Sequence, residues 1–138
     1  MKKLLTLAAI MCALAVPTVS FAAFDLTGAT PTLLVAPTAI SASATNTVEF
    51  ASSGRKGTGM VYIAATSTVT NGTLAVTLMT TNIVSGGWST FAAGTYPTYP
   101  TNAVYRLPVA VEYLSPANRL LIMPTGADTT ASAMLLSY

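Results

Sequence analysis

Beyond the first 22 residues, four carboxylates are available for acid–base or metal chemistry: Asp25, Glu49, Glu112 and Asp128. They stand singly at wide intervals. Acid–base hydrolysis works through two carboxyls, or a carboxyl and an imidazole, held together. This chain has no His, so the commonest general base and metal ligand is absent. Its single Cys, Cys12, lies in an N-terminal apolar run. Gly54, Gly57 and Gly59 surround Lys56, but the spacing is not that of a phosphate-binding loop, GxxxxGK[ST]. Asn71-Gly72-Thr73 fits the N-glycosylation pattern, yet Asn-Gly is foremost a turn signal, because both residues tolerate positive φ. Tyr96 and Tyr99 each precede a Pro; their rings are suited either to stacking on a sugar or partner peptide or to packing on their own scaffold. Arg106 and Arg119 interrupt apolar runs and are expected to pair with Glu112 or to face a partner subunit. These residues imply no catalytic, cofactor or metal site, and the expected class is non-enzymatic.

Composition points the same way. Only 7% of the 138 residues are charged, against about 25% in ordinary soluble domains. The first 22 residues have the layout of an export signal. Lys2 and Lys3 precede an uncharged run from Leu4 to Val16, Pro17 breaks it, and Ser20-Phe21-Ala22 supplies small residues before a cleavage site. Cys12 follows Ile10-Met11, not the small residues of a lipid-attachment site. Cleavage after Ala22 would leave Arg55, Lys56, Arg106 and Arg119 against the four carboxylates, a net charge of zero. A neutral chain without a basic cluster is not expected to bind nucleic acid. The same 116 residues would hold 21 Thr and 10 Ser. A neutral, hydroxyl-rich surface favours association over colloidal solubility, so the expected partners are copies of this chain or a lattice. The membrane enters only during export, to the periplasm, cell surface or exterior.

The elements that carry these residues read as short strands and turns. Residues 24–46 are nearly uncharged, hold Pro31 and Pro37 and lack helical periodicity. They predict an extended arm with one short strand at Leu33–Ala36, able to clamp a neighbour or add a strand to it. Period-two patterning then predicts strands at Thr47–Ala51, at Met60–Thr66 (apolar on both faces), and from Thr73 to Met79 with Leu74, Val76 and Leu78 inward. Asn71-Gly72 predicts a hairpin between the last two. A Gly86-Gly87 turn leads to a short aromatic strand, Trp88–Phe91, and Gly94–Pro100 reads as a loop. Strand-like runs at Ala103–Leu107 and Val109–Leu114 flank Pro108, which suits a bulge or an edge. Arg119–Met123 and Ala133–Tyr138 complete the set, around a Pro124-Thr125-Gly126 turn. About eight strands at this spacing predict an all-β protein, a single antiparallel sandwich of jelly-roll type. The expected organisation is signal 1–22, arm 23–46 and sandwich 47–138. A small outer-membrane barrel would need strands of about 9–11 residues, longer than most of these Pro-broken runs.

The order of features from Pro31 to Tyr138 resembles the small head-decoration or minor virion proteins of tailed phages. The resemblance is carried by GTGMVYIAATSTV, TNGTLAVTLMTT, SGGWSTFA, TNAVYRLPV and ANRLLIMPTGADTTASAMLLSY. TTNIVSGG stands where that family has an acidic loop before the Trp, and an export signal is foreign to a head protein. The resemblance implies a β-sandwich subunit docking on a repeating lattice, without catalytic residues. An exported surface filament or adhesin subunit is the alternative, since Met134, Leu136 and Tyr138 alternate as in the closing strand of a pilin. On either reading the expected interface residues are Phe24, Leu33, Leu34 and Val35 of the arm, with Tyr96 and Tyr99.

Overall fold

The computed structural model describes residues 30–51, 58–82, 84–110 and 117–137. All the regular elements among them are strands: β1 (Thr30–Ile40), β2 (Asn46–Ala51), β3 (Thr58–Ser67), β4 (Gly72–Thr81), β5 (Trp88–Thr98), β6 (Ala103–Ala110), β7 (Ala117–Thr125) and β8 (Thr129–Ser137). They form two antiparallel four-stranded sheets, ordered β1-β8-β3-β6 and β2-β7-β4-β5. Every sequential connection therefore crosses between sheets except β4–β5. This interleaving is the double Greek key of a jelly roll, as the strand spacing predicted.

The core follows from the period-two alternation of side chains along a strand. Leu74, Val76 and Leu78 of β4 and Leu120 and Ile122 of β7 are wholly buried. They meet Val61, Ile63 and Ala65 of β3 and Ala131, Ala133 and Leu135 of β8 from the opposite sheet. The inward register expected for β4 is the observed one. β3 lies between β8 and β6, and Tyr62 and Ala64 are buried alongside its core residues. That accounts for a strand apolar on both faces.

Three expectations change. The arm does not stay apart: Thr30–Ile40 is an 11-residue edge strand paired with β8. The pairing has two bulges, at Leu33/Val35 and Val35/Thr38, the second of which spans Pro37, and Leu34, Val35 and Ile40 enter the core. Asn71-Gly72 does not close a hairpin, because β3 and β4 belong to different sheets. Asn71 takes positive φ (75°) at a corner between sheets. Gly72 is needed there for closeness: a Cβ would lie 2.5 Å from Thr98 Oγ1 and 3.2 Å from the Thr125 carbonyl. Finally, Gly94–Thr98 is the second half of β5, and the run through Pro108 is one strand, β6. Both are edge strands, where a missing N–H costs no ladder bond. Pro124 likewise lies inside β7, past Ile122, where β2 pairing ends.

Candidate functional site

Three surfaces gather the polar and aromatic residues. The first is the end of the sandwich where β1–β2, β3–β4 and β7–β8 turn. Asp128 ties these turns together: its carboxylate accepts the Ala42 N–H at 2.8 Å and its carbonyl accepts the Thr68 N–H at 3.1 Å. A cleft of about 220 Å³ beside it is lined by Thr66, Ser67, Thr68, Thr129 and Thr130. A carboxylate engaged by a backbone amide holds a turn, and among the described residues lining this cleft the only polar side chains beside it are hydroxyls.

The second surface is a tyrosine seam joining the β5 and β6 edges. Tyr96 and Tyr105 stack with centroids 4.8 Å apart. The Tyr96 hydroxyl donates to the Arg106 carbonyl at 3.1 Å, and the Tyr105 hydroxyl donates to the Pro97 carbonyl. Burial pushes the pKa of both phenols up, and the neighbouring Tyr99 adds to the rise at Tyr105. Tyr96 is thus tied to its own scaffold through one ring face and its hydroxyl. Tyr99 is exposed, with its carbonyl accepting the Ser67 N–H.

The third surface is the outer face of the β2-β7-β4-β5 sheet. Cross-strand register puts Thr47, Glu49 and Ala51 of β2 beside Leu121, Arg119 and Ala117 of β7. Thr77, Met79 and Thr81 of β4 follow, then Ala93, Thr90 and Trp88 of β5. Among the described residues two charges sit on this face, and they pair with each other. Arg119 donates through Nε (3.2 Å) and a terminal nitrogen to Glu49 Oε1. Its guanidinium also lies 4.1 Å from the Trp88 ring centroid. A chain Glu49–Arg119–Trp88 therefore reaches across all four strands. Local patterning does not reveal it, because Glu49 and Arg119 are 70 residues apart. Arg106 instead lies over Tyr62, 5.7 Å from its centroid, on the other sheet. Glu112, expected as a partner for both arginines, lies outside the described residues.

The expected interface residues separate. Leu33 is 62% exposed, whereas Leu34 and Val35 are 7% and 4% exposed and belong to the core. The two buried positions are not available to a partner: the bulge after Leu33 turns both of them inward. Phe24 lies outside the described residues.

Fold and surface together define an eight-stranded jelly-roll β-sandwich. No protein-family model matches the chain, and no curated protein matches it. Among solved structures it is similar to a CBM4 structure at 10% identity and TM-score 0.47, over 83% of this chain and 68% of that one. It is also similar to the Yersinia pseudotuberculosis-derived mitogen at 14% identity and TM-score 0.43, over 78% of this chain and 86% of the mitogen. Both likenesses concern the sandwich architecture alone.

Proposed function

We propose that this protein is a non-enzymatic structural subunit that self-assembles or coats a repeating lattice, in the manner of the small virion proteins its sequence resembles. The observation that carries the reading is the outer face of the β2-β7-β4-β5 sheet. Among the described residues it presents hydroxyls, methyls and thioethers, with one cation and one anion already paired. Desolvating hydroxyls that find new hydrogen bonds costs far less than desolvating unpaired charges, so such a face can be covered cheaply. An exported filament or adhesin subunit is the second reading, favoured by the signal-like pattern from Lys2 to Ala22. Electron microscopy and sedimentation of protein recovered from the cell envelope test both. Ordered particles, coats or filaments are expected. A protein that stays monomeric at high concentration and binds neither capsid nor envelope material overturns the structural reading.

A further inference from the structure

We infer that β2 is an assembly edge, to which a second copy of this chain adds its own β2 antiparallel, centred on Val48, to give one continuous eight-stranded sheet. The inference rests on the self-association proposed above and assigns it a place and a register. Two sheets have four edge strands: β1, β6, β2 and β5. Edge strands carry unpaired N–H and C=O groups, and proteins blunt them with Pro, bulges or Lys. β1 has Pro31, Pro37 and two register shifts. β5 has Pro97 and one shift, and β6 has Pro108. β2, Asn-Thr-Val-Glu-Phe-Ala, has no Pro, no Lys or Arg, and pairs with β7 without a shift. Among the described residues it is the one edge without a Pro, a bulge or a basic residue.

Its only charge does not guard it. The Glu49 carboxylate is paired with Arg119, which lowers its repulsion of a second edge, yet its side chain is 62% exposed and stays within reach of a residue opposite. The inward residues Val48 and Phe50 pack against the core yet stay only partly buried, and among the described residues no strand lies beyond them.

The register follows from the pleat. Residues opposite one another in an antiparallel pair share a face, so a two-fold axis must pass beside one residue of β2. Centring on Glu49 would set two like charges opposite each other, which destabilises a pair. Centring on Val48 places Val48 against its own copy and Thr47 against the second copy's Glu49, twice by symmetry. That arrangement joins apolar to apolar on the inner side and hydroxyl to carboxylate on the outer side. A six-residue edge buries less than the ~1,200–2,000 Å² of a stable complex, so the pair is weak and best read at high protein concentration.

The test changes Thr47, an outward, exposed residue of the edge strand. Wild type, Thr47→Lys and Thr47→Glu are compared by sedimentation equilibrium, with thermal melting as the folding control. In this register the introduced ammonium meets Glu49 of the second copy, so Thr47→Lys should tighten the dimer Kd roughly three- to ten-fold, and Thr47→Glu should weaken it by a similar factor. Raised salt should shrink both effects, and melting temperatures should stay equal. Association that both variants leave unchanged, or weaken alike, overturns the β2 edge and its register while the self-association reading stands. A wild type that never associates overturns that reading as well.

Discussion

Val76 and Thr77 are neighbours in β4 with opposite fates, and aspartate at each position measures the sheet's register in energy. Val76 is wholly buried, lying across from Gly94 on one side and Ile122 on the other. Val76→Asp forfeits about 1.5–3 kcal/mol of side-chain burial. The carboxyl enters an apolar layer, so it folds only in the protonated form. Protonating at pH 7 a group whose unfolded pKa is near 3.9 costs about 4 kcal/mol. A buried hydroxyl lacking a partner adds about 1–3 kcal/mol. The total, roughly 7–10 kcal/mol, is comparable to the whole stability of a domain, about 5–15 kcal/mol. Thr77 points outward between Leu121 and Ala93, and Thr77→Asp should cost under about 0.5 kcal/mol. The sign of the pH effect separates this account from mere loss of packing. The introduced carboxyl's folded pKa is raised, so its penalty is smallest below the unfolded pKa and grows as pH rises. Urea unfolding followed by far-UV circular dichroism at pH 4 and pH 7 should show Val76→Asp recovering about 4 kcal/mol relative to Thr77→Asp at the lower pH. Equal stability of the two variants, or a deficit that does not change with pH, would refute the register or the dry interior.

The tyrosine seam makes the fold alkali-sensitive. Tyr96 and Tyr105 hold their protons above the usual phenol range through burial, and Tyr105 also through Tyr99; the stability this confers is complete below about pH 10 and is lost as pH rises through the folded values. The melting temperature should fall between pH 9 and pH 11, and the double variant Tyr96→Phe, Tyr105→Phe should fall less steeply. Arg119→Ala removes a part-exposed ion pair and a cation–π contact, a stability change of about 0.5–1.5 kcal/mol. Because Trp88 is the only tryptophan, its emission should shift in Arg119→Ala, and an unchanged spectrum would place the guanidinium elsewhere.

Local pattern alone determined that the chain is built of short antiparallel strands and which way β4 faces; that the runs around Pro108 form one strand, giving eight among the described residues, was decided by the structure. Alternation at Leu74, Val76 and Leu78 is a property of one strand's own pleat, and it carries the inward direction whatever that strand pairs with. The low charge and the high Thr and Ser content are equally a matter of composition. Partnership was decided only in three dimensions. Asn71 has the same turn-forming tendency in a hairpin as at a corner between sheets, and the placement of β3 and β4 in separate sheets settles which it serves. Pro97 and Pro108 break a strand or ride on one according to whether their N–H would have faced a neighbour, which depends on the strand being an edge. The arm residues Leu34 and Val35 became core because β8, about a hundred residues further along, offered an open side for β1. Arg119 found Glu49 through cross-strand register, which joins residues about 5 Å apart laterally however far apart they stand in the chain, and its guanidinium reaches Trp88 across the intervening β4.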